Sequence, residues 1–174
     1  MSEAMEAHEN AEHAEQARDS FNRRVAATMA IIAAALAVVG ILGEFATTEE
    51  LLNQQKASDQ WSYYQAKSIR RYESEIARDL LAAMKGEKAT DYQGNAEKYK
   101  KDGEEIQDKA KELEHESEVN GHKAVRLHLG GIFLEIGIVF ASLGILAKRA
   151  SLWGVSIVLA VVGASIALTT LTVK

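Results

Sequence analysis

The chain predicts an all-α integral membrane protein: three transmembrane helices and, between the first and second, an extramembrane antiparallel helical hairpin of coiled-coil type. Three observations carry this reading. Residues 125–147 and 151–173 are two apolar runs separated by Lys148-Arg149. Each is about the ~20 residues that a helix needs to cross a ~30 Å hydrocarbon layer, and a two-charge break leaves room only for a tight turn. A third apolar run, 25–43, lies between Arg23-Arg24 and Glu44. The remainder is rich in Ala, Glu, Lys, Leu and Gln and the chain has no proline, a composition that favours long helices over strands.

Mean hydropathy is close to zero because very apolar and very charged segments average out. There is no cysteine, so neither a disulfide nor a thiolate nucleophile nor a Cys-ligated metal is available. The net charge of −5, with no basic face interleaved with aromatics, argues against nucleic-acid binding.

Residues 1–24 hold six acids against three arginines and read as a short acidic helix or a disordered tail. They do not resemble a signal peptide, having no basic start ahead of an apolar run. His8 and His13 are five apart, poor spacing for chelation from one helix face. In the first span, 25–44, Ala26, Ala30, Ala33, Ala37 and Gly40 fall on one face, and small faces let helices approach closely in lipid. Thr47-Thr48-Glu49-Glu50 reads as a capping box: a new helix starts there, or the first span flexes and continues.

The hairpin, 45–124, then takes an inward stripe of Leu51, Ser58, Trp61, Gln65, Ile69, Tyr72, Ile76, Leu80 and Ala83, recurring every three or four residues. The stretch from Gly86 to Gly94 carries turn chemistry. A second helix from about Asn95 presents Tyr99, Ile106, Ala110, Leu113, Ser117, Ala124 and Leu127, with a hinge expected at Asn120-Gly121. The two form an antiparallel pair. The spans 125–147 and 150–173 follow. Arg23-Arg24 and Lys148-Arg149 belong on the cytoplasmic side, which puts the N-terminus inside and both the hairpin and the C-terminus outside. The hairpin's 13 basic and 17 acidic residues have little vote.

Glu135 is the residue that demands an account, because an ionisable group in mid-span is expensive and marks a functional hypothesis. Helical spacing puts His128 and Ser142 in its sector; Gly130, Gly137 and Gly144 form another sector, with Ala141 beside them. One reading is an ion or proton path in an oligomer, the neutral acid carrying a proton and releasing it when hydrated. The other is a polar contact that joins helices. In the third span Ser156, Ala160, Gly163, Ala167 and Thr170 make a small-residue face, and Trp153 fits an interfacial anchor. A lone Glu112-x-x-His115, with Glu118 and His122 nearby, falls short of the several inward helices a di-metal site needs. No nucleophile elbow, phosphate loop or dinucleotide fingerprint occurs, so neither an enzyme nor a cofactor is expected.

The segment 57–69, Ala-Ser-Asp-Gln-Trp-Ser-Tyr-Tyr-Gln-Ala-Lys-Ser-Ile, with its core Trp61-x-x-Tyr64-Gln65-Ala66-Lys67, resembles the pattern of a bacterial membrane-protein family, domain of unknown function 4337. The layout is similar too: acidic tail, one span, hairpin, two close spans. The resemblance implies the same architecture in a bacterial inner membrane and carries no activity or catalytic residue. Trp61, Tyr64, Gln65, Ile69 and Tyr72 are then candidates for hairpin packing or an interface, with a ligand-reading cluster as the alternative at Trp61, Tyr64 and Gln65.

The expected function is a non-catalytic, homo-oligomeric inner-membrane scaffold or stalk, whose partners are the lipid bilayer, further copies and an unidentified protein. The alternative is an oligomeric ion or proton conduit using Glu135 with His128 and Ser142.

Overall fold

The computed structural model describes the backbone of residues 2–84 and 89–172 and the side chains of 20–84 and 91–172. Among these the chain is helical throughout, with no strand: α1 (Ser2–Ala83), α2 (Ala89–Ala147) and α3 (Ala150–Leu168), which ends in a 3₁₀ turn, Thr169–Thr172. Each of the three helices contains a stretch long and apolar enough to cross a membrane. The chain divides into two units: Met1–Phe45 with His122–Lys174, and Ala46–Gly121.

At Thr47, of the two alternatives, the first span continues, and at Asn120-Gly121 the helix is not interrupted. α1 runs through Thr47 without a new start, because a helix arriving from the N-terminal side already satisfies the N–H groups that a capping box would serve. α2 is one helix through Asn120-Gly121. One glycine in a helix costs only about 0.5–1 kcal/mol against alanine, too little to end it; the nearest group to Gly121 is the flexible carboxylate of Glu50. α2 also begins at Ala89, so Thr90, Asp91 and Gly94 are helical rather than part of the turn. The backbone of the expected tail is helical from Ser2 onward; the side chains of His8 and His13 lie outside the described residues.

In the first unit α2 runs antiparallel to both α1 and α3. Gly43 lies against His128 and Gly131 against Leu36, while Gly130 meets Gly163 and Gly144 meets Trp153. Val25, Ile32, Leu134 and Ala141 are buried. Trp153 ties α3 to α1: its ring stands edge-on to Phe21 at 6.0 Å, and its Nε1 donates to Thr28 Oγ1 at 3.3 Å. Arg126 donates to the Thr169 carbonyl at 2.9 Å, supplying a cation and a donor where a helix end leaves carbonyls unpaired.

The turn from α2 to α3 is two residues. Lys148 N–H donates to Ile145 O and Arg149 N–H to Gly144 O, the paired bonds of a Schellman end. Lys148 has φ 53°, the left-handed conformation that an L side chain enters at about 1–2 kcal/mol. Lys148→Gly is therefore expected to raise stability by about 1 kcal/mol, read as a higher unfolding midpoint in detergent; an unchanged midpoint would mean that the lysine compensates through its charge.

In the second unit α1 and α2 pair antiparallel, with Asn53 bonded to Glu116 and Lys67 to Asp102. The face of α1 used is not the expected one. Leu51, Ile69, Tyr72, Ile76 and Leu80 are exposed, as are Ser58, Gln65 and Ala83, and Trp61 is half-buried. The covered face is Asn53, Ala57, Tyr64, Lys67, Arg71 and Ser74. Buried or half-buried positions of α1 recur at intervals of seven from Val25 through Ile32, Val39, Ala46, Asn53, Gln60, Lys67 and Ser74 to Leu81. Because α1 has no break, the inward register cannot reset at Thr47, and the apolar residues beyond it fall on the other side. On α2 the covered residues Tyr99, Ile106, Ala110, Leu113 and Ser117 are those its own spacing indicates.

Candidate functional site

Three groups of residues are candidates for function: a polar line on α2, the small-residue faces of the first unit, and the aromatic-basic motif of the second.

His128, Glu135 and Ser142 stand seven residues apart on the outer side of α2, all exposed. Ser142 turns its hydroxyl back to the Val139 carbonyl at 2.7 Å. His128 packs beside Gly43, where a Cβ would meet its ring at 3.4 Å. Glu135 makes no hydrogen bond or ion pair among the described residues. By the Gly131–Leu36 contact it lies level with residues near Ile32 of α1.

The glycine sector of α2 and the small face of α3 meet each other inside one chain. A Cβ on Gly130 would come within 2.8 Å of Gly163 O and 3.1 Å of Ala167 Cβ; one on Gly163 would come within 2.6 Å of Gly130 O. A Cβ on Gly137 would lie 3.3 Å from Ser156 O and 3.7 Å from Ala160 N, and one on Gly144 would lie 3.3 Å from Trp153 N. Ser156, Gly163 and Ala167 are buried. By contrast Ala26, Ala30, Ala33, Ala37 and Gly40 of α1 are all exposed, and nothing comes within 4 Å of a Cβ placed on Gly40. The two kinds of small face have different occupants: one is filled by this chain, the other is not.

The motif in the second unit is a set of clasps from α1 to α2. Trp61 Nε1 donates to Glu114 Oε1 at 2.8 Å, and its ring meets Tyr64 edge-on at 5.7 Å. Tyr64 lies over Gly103, where a Cβ would sit 3.6 Å from its ring. Lys67 Nζ reaches Asp102 Oδ2 at 2.8 Å and lies 5.4 Å from the centres of both the Tyr63 and Tyr99 rings. Trp61, Tyr64 and Lys67 follow one another at about one turn, and each reaches α2. Gln65, Ile69 and Tyr72 point away, exposed. The partners Asp102, Gly103 and Glu114 sit in an acidic stretch of α2 that looks solvated from sequence, and only the pairing singles them out. Glu114 is engaged by Trp61, and no group of three potential metal ligands occurs among the described residues.

The hydrogen bond from Lys67 holds the Asp102 carboxyl below its ordinary value of 3.8, against a partial opposing effect of desolvation. The same bond raises Lys67 above 10.5, with desolvation again opposing. A lowered carboxyl contributes stability that is present above its ordinary range and lost as pH falls through the folded value. A raised lysine contributes stability that is present below 10.5 and lost as pH climbs past it. Asp102→Asn should therefore lower the thermal midpoint at neutral pH and flatten its decline in both acid and alkali, measured by circular dichroism across pH; parallel curves for the two proteins would remove the pair from the account.

The fold and these sites define an all-helical protein with three potential membrane-crossing helices and a clasped helix pair. It belongs to the family described as domain of unknown function DUF4337, whose model matches residues 21–173. No curated protein and no solved structure is detectably similar to the chain.

Proposed function

We propose that this protein is a non-catalytic scaffold of the inner membrane that self-associates within the bilayer and holds the clasped helix pair outside it. The observation that carries the reading is Glu135: an exposed carboxyl in the middle of a long apolar stretch, with no hydrogen bond or ion pair among the described residues. In hydrocarbon such a group is expensive and is found facing a helix bundle or cavity rather than lipid, so a second copy is the natural cover. The exposed alanine face of α1 is the kind of surface that lets helices approach closely in lipid. Arg23-Arg24 and Lys148-Arg149 favour a cytoplasmic N-terminus and a periplasmic helix pair.

The alignment of His128, Glu135 and Ser142 on one exposed line favours a second reading, an ion or proton conduit whose lumen that line would face in a ring of copies. One pair of measurements separates the two. Native mass in mild detergent is expected to give an oligomer that survives Glu135→Gln and is lost in Ala33→Leu; a monomer at all concentrations sinks self-association. Liposomes carrying the protein should hold a pH or cation gradient if it is a scaffold. A leak abolished by Glu135→Gln would instead favour the conduit.

A further inference from the structure

The second unit contains a small polar cavity of about 170 Å³, lined by Tyr64, Ser68 and Arg71 of α1 and by Tyr99, Lys100 and Glu104 of α2 among others. A single water needs only about 10–15 Å³ of such space, so there is room for a small oxyanion. Its donors are unequally served. Arg71 Nε is buried and makes no hydrogen bond; it has only a long ion pair with Glu75 Oε1 at 3.4 Å, one turn on. The side chain as a whole is 27% exposed, so the cost falls on this one donor, which is out of water and without an acceptor. The guanidinium is held from another side by the Tyr72 ring, 4.7 Å away. Lys100 forms no ion pair among the described residues, although Glu104 follows it by one helical turn. Lys67, the other nearby cation, is already committed to Asp102.

We propose that this cavity binds a phosphate-type oxyanion, with Arg71 and Lys100 supplying charge and the hydroxyl-bearing Tyr64, Ser68 and Tyr99 supplying neutral donors. Donors reaching in from two helices suit a tetrahedral group with three or four oxygens better than a planar carboxylate with two. Charge-assisted bonds from a guanidinium and an ammonium are the strongest of the non-covalent contacts available to such a group. Glu104 and Glu75 oppose it, which limits affinity and makes a signed prediction possible. The assignment is independent of whether copies associate in the membrane.

The test uses the full chain in a maltoside detergent, free of phosphate, titrated calorimetrically with inorganic phosphate and then with dihexanoyl phosphatidic acid at matched ionic strength. Saturable binding is expected. Arg71→Ala and Lys100→Ala should each weaken it by roughly tenfold or more, the scale of one lost charged hydrogen bond, and Glu104→Gln should tighten it. Lys100 is exposed, so its variant keeps the fold and guards against misreading an unfolded Arg71→Ala. Equal binding of both probes supports a site for a free phosphate group; binding of the lipid alone supports a headgroup site. Failure of both probes to saturate at millimolar concentration, or equal binding by wild type and both alanine variants, overturns the proposal.

Discussion

Gly163→Ala is expected to be among the most damaging single-methyl changes in the first unit. The added Cβ would stand 2.6 Å from the Gly130 carbonyl oxygen and 3.0 Å from Phe133 Cβ. The nearest atom is backbone, so no side chain can swing aside, and α2 and α3 have to separate along their crossing. Overpacking of this kind costs about 1–3 kcal/mol. The reciprocal change, Gly130→Ala, meets Gly163 O at 2.8 Å and belongs in the same range. Gly40→Ala is the control: nothing lies within 4 Å, so replacing a helical glycine by alanine should gain about 0.5–1 kcal/mol in a monomer. Unfolding of the full chain in detergent is the measurement. Equal stability of Gly163→Ala and wild type would deny the close α2–α3 contact, whereas a loss in Gly40→Ala that grows with protein concentration would reveal a second copy on that face.

In the second unit, a large residue placed where a small one sits is expected to outweigh the loss of a large one. Ala57 is 2% and Ala110 0% exposed, and the register set by Asn53–Glu116 and Tyr64–Gly103 puts them nearly level across the helix pair. Ala110→Leu should part the helices locally and cost about 1–3 kcal/mol. Ile76, by contrast, is 67% exposed, so Ile76→Ser should stay within about 0.5 kcal/mol of wild type, as surface changes usually do. Thermal unfolding of the two variants side by side decides it. The reverse order, with Ile76→Ser the more damaging, would return the apolar stripe to the core and reject the observed register.

That register is where a reading of residues and the folded chain part company. The spacing of Tyr99, Ile106, Ala110, Leu113 and Ser117 on α2 identifies the covered side directly, because its apolar and small residues agree. On α1 they disagree. Ile69, Tyr72, Ile76 and Leu80 make a plausible stripe, yet Asn53, Ala57, Lys67 and Ser74 are the residues covered. Two of their polar groups find partners that no local pattern announces, Glu116 for Asn53 and Asp102 for Lys67, while Ser74 turns back to the Arg70 carbonyl one turn before it. Likewise the sector of Gly130, Gly137 and Gly144 can be drawn from helical geometry alone, whereas its occupant, the face of Ser156, Gly163 and Ala167, is a matter of how two helices cross.

By itself the sequence determined the family, the all-helical class, the three apolar stretches and the break at Lys148-Arg149, since each follows from local composition, a contiguous motif or the match of an apolar run to the length of a span. Tertiary structure alone decided that α1 and α2 run unbroken past Thr47 and Gly121, which face of α1 is covered, and which carboxylates Trp61 and Lys67 engage. The physical reason is the same in each case. Caps and helix-interior glycines are preferences of about a kilocalorie, and the packing of one long helix against another sums over many turns and overrides them. Glu135 stands on both sides of the line: its cost in an apolar run is legible in the sequence, and its exposure, without a partner among the described residues, only in the folded chain.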